Sequence, residues 1–518
     1  MLKSLFTALL VGTGLAGFAQ VDSIPLRYGN SITEEGLRTH LTMIASDAYE
    51  GRETGLKGQK MAAAYIEEQF KKSGIPPVPD AMRRGLLADG YQQQYPITET
   101  RLGGLSIAVG DQYFEFLKDY FYTSERLRQP LEVQDVTVVS PLAAGGVKLG
   151  GGNKVVMVLD PPDRKPGDEE DEAIFTKVKD IAAALAGTGT EVVLLVQNRA
   201  TQIMQAQGRN LAAPRMRLGT AEELAAGKKG PQLVVITPEL AQAILDQAKV
   251  TMKKAVKGTA KKRMTIRSPL SFQYASRNRE LTGENVLGYV EGRDKKGEVI
   301  AVTAHYDHIG MADGEVYNGA DDDGSGTVAV LEMARAFAQA KADGHGPRRS
   351  MLFMTVSGEE KGLLGSEWYT DHPVFPLDST VADLNIDMIG RVDTVHEDSV
   401  AYVYVIGSGR ISSELKQINE AQNATYTKLH LDYTFDADSD PNRFYYRSDH
   451  YNFAKHGVPV AFFFNGVHAD YHGPFDEVDK IRFDLLQQRA LLVFYTAWEL
   501  ANRDKRIVSD PAEKLGRD

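Results

Sequence analysis

Residues 299–308 have the sequence VIAVTAHYDH, and residues 319–333 have the sequence GADDDGSGTVAVLEM. The apolar run Val299–Thr303 predicts a buried strand, and the pattern over Ser325–Lys341 predicts a helix. Histidines and acidic residues are concentrated in the connection between them. A buried strand, a polar loop and a helix in this order predict an α/β fold whose chemistry lies at the ends of the strands.

The same alternation continues through the C-terminal half of the chain. Further strands are predicted at Asn285–Val290, Ser350–Val356, Val381–Ile386, Val400–Ile406 and Val458–Phe464. Further helices are predicted at Leu363–Asp371, Ser412–Gln422 and Lys480–Asn502. Nearly continuous apolar strands that alternate with helices predict a mostly parallel central sheet with helices on both faces.

The chain is long enough for more than one domain, since its 518 residues exceed the roughly 100–200 residues of a typical domain. Residues 1–19 combine Lys3, an apolar stretch and small residues at Gly17 and Ala19, which predicts a signal peptide cut after Ala19. Short apolar strands and Gly-rich turns predict an inserted, smaller β-rich domain over residues 130–265. Residues 20–129 and 266–518 are predicted to form the main domain.

The composition excludes several classes of protein and of site. Acidic residues outnumber basic ones by 70 to 59, which disfavours a nucleic-acid-binding protein because such proteins normally present a basic face. Cysteine is absent, so any bound metal must be held by His, Asp and Glu side chains. No internal apolar run reaches the roughly 18 residues that a membrane span requires, and no span is predicted.

Acidic residues and histidines follow several of the predicted strands. They are His305 and Asp307, the run Asp321–Asp323, the pair Glu359–Glu360, Asp387 and, before the last helix, His472. Because the carboxyl ends of parallel strands lie at one edge of a sheet, we expect these side chains to meet there. Imidazole and carboxylate groups suit zinc or a related divalent ion, and one Asp can bridge two ions.

These motifs, taken in order, resemble those of the M28 family of zinc metallopeptidases, which includes bacterial aminopeptidases. The resemblance lies in H-x-D, G-A-D-D-D-x-S-G, E-E-x-G-L-x-G-S, D-M-x-G and Y-H-x-P-x-D between His305 and Asp476, and in SDAYEGR at Ser46–Arg52. It implies that residues 266–518 are a catalytic dizinc peptidase domain, with residues 20–129 as its N-terminal part. Residues 130–265 resemble a protease-associated insert.

The resemblance also implies a role for each site residue. One zinc ion is expected on His305 and Asp387 and a second on Glu360 and His472, with Asp321 bridging the two. A cis peptide bond is expected between Asp321 and Asp322.

Glu359 is expected to act as general base, since the reaction needs an unligated carboxylate to carry a proton from the water to the leaving amine. Asp307, two residues after His305, is expected to orient that imidazole. His308, His450 and His468 are expected to have structural or substrate-edge roles. His396 and His430 are expected to be surface or packing residues.

The predicted function is that of an exported, zinc-dependent exopeptidase that removes N-terminal residues from peptides in the periplasm or medium of a bacterium. A carboxypeptidase or dipeptidase of the same fold is the alternative, because Arg447 is a basic residue able to reach a substrate carboxylate. Two rivals share the fold: a single-zinc glutaminyl cyclase and a non-enzymatic receptor. A serine hydrolase and a His-Glu-x-x-His peptidase are disfavoured because their motifs are missing. The oligomeric state is not predicted.

Overall fold

The structure, a computed structural model, describes residues 22–79, 81, 84–122, 129–139, 153–159, 185, 187–227, 230–259, 262–397 and 401–511. The predicted signal peptide, residues 1–19, lies outside the described residues. The described helices are α1 (Ser23–Gly29), α2 (Glu34–Ile44), α3 (Lys57–Lys72), α4 (Ala200–Ala212), α5 (Ala221–Gly227), α6 (Pro238–Asp246), α7 (Met252–Thr259), α8 (Gly326–Ala342), α9 (Leu364–Asp371), α10 (Ser413–Gln422), α11 (His450–Ala454) and α12 (Phe483–Asn502).

The described strands alternate with these helices along much of the chain. They are β1 (Gln92–Val109), β2 (Gln112–Phe114), β3 (Tyr120–Phe121), β4 (Leu131–Val139), β5 (Val155–Val158), β6 (Val192–Val196), β7 (Arg215–Leu218), β8 (Gln232–Ile236), β9 (Met264–Val290), β10 (Lys295–His305), β11 (Gly310–Ala312), β12 (Glu315–Tyr317), β13 (Arg349–Val356), β14 (Thr380–Ile386), β15 (Tyr402–Ile406), β16 (His430–Asp432) and β17 (Val460–Phe464).

The chain divides into two compact units. The first consists of the residues up to Gln94 together with Gly283–Asp518, and the second of Tyr95–Thr282. The predicted insert, residues 130–265, lies within the second unit, which begins earlier and ends later. No loop marks either boundary because strands β1 and β9 each run through one. The resemblance of residues 130–265 to a protease-associated insert stays a prediction.

The first unit has a mixed sheet in which most neighbours are parallel. Strand β10 lies parallel to β13 and β14, and β14 lies parallel to β17. Strand β13 is antiparallel to the end of β9, and β15 is antiparallel to β17. The predicted α/β class is therefore confirmed, with antiparallel neighbours toward both sides of the parallel core.

Helices cover both faces of this sheet, as predicted. Alternate residues of β13 belong to different clusters: Phe353 packs in the cluster that holds residues of α8 and α12, and Leu352 packs in the cluster that holds residues of α9 and α11. Side chains of a strand alternate between the two faces, so these clusters are the two layers of the core.

The second unit is also built on parallel strands. Strands β4, β5, β6 and β8 are successive parallel neighbours, and β3 and β9 pair antiparallel with β8 and β4. Helices α4–α7 accompany these strands. Among the described helices of both units, none has the combined length and apolar character that a membrane crossing requires.

Candidate metal centre

The predicted site residues lie at the carboxyl ends of the parallel strands of the first unit. His305 is the last residue of β10 and pairs with Val356, the last residue of β13. Glu359 and Glu360 follow β13 directly, and Asp387 follows β14. This register brings residues that are far apart in sequence to one edge of the sheet.

A first group of ligand atoms surrounds His305. The ligand atoms of His305, Asp323 and Asp387 lie within 4.8 Å of one another. His305 Nε2 is 3.5 Å from Asp387 Oδ1 and 3.3 Å from Asp322 Oδ1. The carboxylates of Asp322, Asp323 and Asp387 thus lie around the imidazole of His305.

A second group surrounds Glu360. His472 Nε2 is 3.2 Å from Glu360 Oε2 and 3.2 Å from Asp322 Oδ2. His308 Nδ1 lies 2.7 Å from Glu360 Oε1, so the structure adds His308 to this group. Sequence analysis predicts a structural or substrate-edge role for His308, although its position three residues after His305 could have indicated a metal ligand.

Asp322 lies between the two groups. Its Oδ1 faces His305 and its Oδ2 faces His472. The expectation that Asp321 occupies this position is wrong by one residue. Asp321 Oδ1 instead accepts hydrogen bonds from Ser325 Oγ (2.9 Å) and the Gly390 N–H (2.6 Å), and Asp321 Oδ2 lies 3.3 Å from His468 Nε2. The cis peptide bond joins Asp322 to Asp323, rather than Asp321 to Asp322.

Hydrogen bonds to a distant loop hold the backbone of Asp321 and Asp322 in place. Asp476 Oδ2 accepts hydrogen bonds from the backbone N–H groups of both Asp321 (2.9 Å) and Asp322 (3.0 Å). Gly319 precedes them with a φ of 51°, and a Cβ there would lie 2.2 Å from the carbonyl oxygen of Asp322 and 2.5 Å from the His308 ring. Any larger residue at position 319 would displace the loop that carries the site.

Arg52 explains the SDAYEGR motif of the N-terminal region. Its fully buried guanidinium donates hydrogen bonds to the carbonyl oxygens of Tyr306 (2.7 Å), Ile44 (2.9 Å), Asn318 (2.6 Å) and Gly319 (2.9 Å). Two of these carbonyls flank the segments that carry His305 and Asp322. Arg52 therefore ties both segments to the N-terminal helices.

Glu359 and Glu360 are neighbours with different surroundings. Glu360 is buried, which opposes ionisation, but contacts with His308 and His472 lower its pKa to about 2. Burial raises the pKa of Glu359 well above its usual range, and nearby Asp387 and Glu360 raise it further. Glu359 Oε2 lies 3.9 Å from His305 Nε2, outside both ligand groups. A pair of carboxylates whose pKa values are pushed apart is typical of sites that divide binding and proton transfer.

Asp307 connects His305 to Glu359. The Asp307 carboxylate accepts hydrogen bonds from Thr54 Oγ1 (2.6 Å) and from the Glu359 N–H (3.3 Å). His305 Nδ1 lies 3.1 Å from the backbone carbonyl oxygen of Asp307 and 3.8 Å from its carboxylate. The backbone of Asp307 thus contacts the imidazole more closely than its carboxylate does.

The residues present fit a divalent metal. His305 Nε2, Asp322 Oδ2 and Glu360 Oε1 are buried atoms that make no well-aligned hydrogen bond among the described residues. Buried polar atoms without a partner are costly, and a cation between them would remove that cost. Imidazole nitrogens and carboxylate oxygens without any thiolate are a donor set for zinc.

A cavity of about 320 Å³ opens over the centre. Its floor contains Glu359, Glu360, Asp387 and His472. Its walls are largely apolar or aromatic and consist of Leu363, Met388, Phe444, Tyr446, Phe462, Phe464, Val467 and Tyr471. Arg447 also lines it, with its guanidinium 3.3 Å from the hydroxyl of Tyr471.

The chain is similar in sequence to known peptidases. The sequence model of peptidase family M28 matches residues 285–497, the segment that contains every residue of both ligand groups. The chain is 28% identical over 233 residues to aminopeptidase YwaD of Bacillus subtilis, covering 43% of this chain and 46% of that protein. It is 32% identical over 226 residues to a probable leucine aminopeptidase of Arthroderma benhamiae, covering 42% of this chain and 57% of that protein.

The chain thus spans about half the length of these curated relatives. Among solved structures, an aminopeptidase from Aneurinibacillus sp. strain AM-1 is similar with a TM-score of 0.54 at 18% identity, covering 94% of this chain and 98% of that chain. At that identity the likeness concerns the fold. The motifs between His305 and Asp476 lie within the segment that the family model matches, and residues 285–497 of this chain are similar to peptidase family M28.

Proposed function

We propose that the chain is a metallo-aminopeptidase that hydrolyses N-terminal residues from peptides at a centre for two zinc ions. The observation that carries this proposal is the position of Asp322, whose two carboxylate oxygens lie 3.3 Å and 3.2 Å from ligand atoms of different groups. His305 and Asp387 would hold one ion, and Glu360 and His472 the other. The relatives named aminopeptidases support the same reaction.

Two bound ions would supply Lewis acidity toward the scissile carbonyl and lower the pKa of an attacking water. Glu359 lies beside both groups without belonging to either, so its carboxylate is placed to take a proton from that water. The same carboxylic acid then returns the proton to the nitrogen of the leaving peptide. Asp307 holds Glu359 through its backbone N–H and so fixes the position of the base.

The cavity suits a peptide that has a free N-terminus and an apolar first side chain. When ionised, the five carboxylates of the centre, Asp322, Asp323, Glu359, Glu360 and Asp387, carry more negative charge than two zinc ions balance, so the centre attracts an α-ammonium group more than a terminal carboxylate. The aromatic walls, Phe444, Phe462 and Phe464 among them, offer apolar contact to the first side chain. Peptides with an apolar N-terminal residue are therefore the proposed substrates.

Carboxypeptidase or dipeptidase action is the second candidate, because Arg447 lines the cavity and a guanidinium can pair with a terminal carboxylate. One peptide in two forms separates the candidates: the N-terminus is free in one and acetylated in the other, and products are followed by mass spectrometry. We expect stepwise loss from the free N-terminus and no cleavage of the acetylated form. Cleavage of the acetylated peptide from its carboxyl end would contradict the aminopeptidase proposal.

We further propose that the chain is exported. The support is the sequence of residues 1–19, in which a basic residue, an apolar stretch and small residues follow one another. N-terminal sequencing of the exported protein should begin near Gln20. An exported protein that retained Met1 would contradict the cleavage.

A further inference from the structure

A separate cluster of metal-ligating side chains lies in the first unit and shares no residue with the centre described above. His396, His430 and Asp432 each place one ligand atom so that all three atoms lie within 4.8 Å of one another. We propose that these three residues bind a divalent cation, zinc by the nature of the donors, and that this site is structural. The peptidase reaction makes no use of it.

The surroundings of His396 fix which ring nitrogen faces the site. His396 Nδ1 lies 2.8 Å from Asp393 Oδ1, and its ring stacks on Tyr402 with centroids 3.7 Å apart. An ionised carboxylate accepts hydrogen bonds, so in the neutral ring Nδ1 carries the proton and Nε2 carries the lone pair. A carboxylate behind a histidine is the usual way in which proteins orient a zinc-binding imidazole.

The carboxylate behind His396 is itself held in place. Tyr404 donates a hydrogen bond from its hydroxyl to Asp393 Oδ2 at 2.7 Å, and the backbone N–H of His396 donates to Asp393 Oδ1 at 3.0 Å. The His396 side chain is 8% exposed. The ring is thus packed, oriented and backed by a charge before any ion arrives.

The other two residues come from strand β16. His430 and Asp432 are two positions apart in this strand, so their side chains lie on the same face. Pairing of β16 with β15 sets Tyr402 opposite His430 and Tyr404 opposite Asp432, which aligns the strand with the tyrosines that hold His396 and Asp393. Strand pairing therefore places His430 and Asp432 beside His396.

The distance between His396 and Asp432 suits two ligands of one tetrahedrally coordinated zinc ion better than a direct ion pair. His396 Nε2 lies 3.4 Å from Asp432 Oδ2. Charge-assisted hydrogen bonds are usually about 2.7–2.9 Å long, whereas two ligands about 2.1 Å from a tetrahedral zinc lie about 3.4 Å apart. His430 is exposed, so its side chain can adjust around a bound ion.

Zinc content of purified full-length protein tests the proposal. Wild type, His430→Ala and Asp432→Asn are dialysed to equilibrium against micromolar Zn²⁺, and zinc per chain is measured by elemental analysis. His345→Ala serves as the matched control, because His345 is an exposed histidine outside every ligand group of the described residues. Thermal unfolding without added metal checks that each variant folds like the wild type.

We expect both site variants to bind one zinc fewer per chain than the wild type and the control, and to gain less thermal stability from added Zn²⁺. Because the comparison uses the difference between chains, its outcome does not depend on the number of ions at the other centre or on peptidase activity. Equal zinc content in the wild type and His430→Ala would overturn the proposal.

Discussion

Both units of the chain contain neighbouring parallel strands, yet the residues that follow those strands behave differently. In the second unit, Thr237 follows β8 and its hydroxyl accepts a hydrogen bond from the Leu240 N–H at 3.3 Å, which caps α6. In the first unit, His305 and Asp387 stand at strand ends and face each other across 3.5 Å. Strand-end polar groups in one unit serve local structure, and in the other they converge.

A parallel sheet therefore places side chains at its edge, and the identity of those side chains decides whether a reactive site forms there. At a strand end, a side chain with a backbone partner nearby becomes a cap or a turn. It becomes part of a site when ligand atoms from several strand ends and loops converge without well-aligned hydrogen bonds, as Asp322 Oδ2 and Glu360 Oε1 do among the described residues. Substitutions at the strand ends of either unit test this difference.

The largest effect is expected for Asp322→Asn. This change removes charge from the one carboxylate that faces both groups, so zinc per chain should fall and turnover should drop beyond the roughly 10⁴-fold that a single acid–base group contributes. Asp321→Asn is the matched control, because Asp321 Oδ1 accepts hydrogen bonds from Ser325 and Gly390 and Asp321 Oδ2 faces His468, outside both ligand groups. Loss of zinc in the Asp321 variant with none in the Asp322 variant would refute the assignment of the bridging residue.

Glu359→Gln should separate proton transfer from metal binding. Glutamine keeps the shape of the side chain but cannot accept a proton, so turnover should fall by about 10²–10⁴-fold while zinc content stays at the wild-type level. Glu360→Gln should instead lower zinc content, since Glu360 contacts both His308 and His472. Wild-type turnover in the Glu359 variant would exclude it as the base.

The interiors of the strands also differ between the two units, because β14 contains the buried carboxyl of Asp383. It is fully buried within β14, its Oδ1 accepts a hydrogen bond from Thr303 Oγ1 at 2.8 Å, and burial raises its pKa to about 8. Strands β5 and β6 of the second unit are apolar throughout. A carboxyl whose folded pKa is raised favours folding below its unfolded pKa and loses that contribution as pH rises through the folded value.

Asp383→Asn should therefore stabilise the protein increasingly between pH 5 and pH 8. The gain in the free energy of unfolding relative to wild type should be larger at pH 8 by more than about 1.4 kcal/mol, the equivalent of one pKa unit. Denaturant unfolding of both chains at the two pH values measures it. A gain that is the same at both values would show that folding does not raise the pKa of Asp383.

The smallest effect is expected for Thr237→Ala in the second unit. Loss of the cap on α6 should lower the free energy of unfolding by about 1 kcal/mol, and peptide turnover should be unchanged. Thr237→Ser is the control, since serine keeps the hydroxyl that accepts from Leu240. A large loss of turnover with intact folding would show that this strand end takes part in the reaction.

Much of the fold was predictable because the first unit has long apolar runs. The predicted strand Val381–Ile386 lies within Thr380–Ile386, and the predicted helix Ser325–Lys341 is Gly326–Ala342. The limits of the second unit were not predictable, since β1 and β9 cross its boundaries without any turn. Buried strands and amphipathic helices leave periodic patterns, whereas a domain boundary inside a strand leaves none.

The site was predictable in its members but not in its register. His305, Glu359, Glu360, Asp387 and His472 lie near one another, and their roles stay predictions. The position between the two groups was assigned to Asp321 rather than Asp322 because Asp321, Asp322 and Asp323 are chemically identical in sequence, and the hydrogen bonds from this loop to Asp476 depend on tertiary structure. His396 and His430 looked like surface residues because the strand pairing that joins them to one cluster depends on tertiary structure.

The proposed centre holds two ions with Asp322 between them. The most direct measurement is a crystal structure of zinc-loaded protein with anomalous diffraction recorded at the zinc edge. We predict two anomalous peaks at this edge of the sheet, one beside His305 and Asp387 and one beside Glu360 and His472, with the Asp322 carboxylate between them. A single peak there, or two peaks that flank Asp321, would contradict the account.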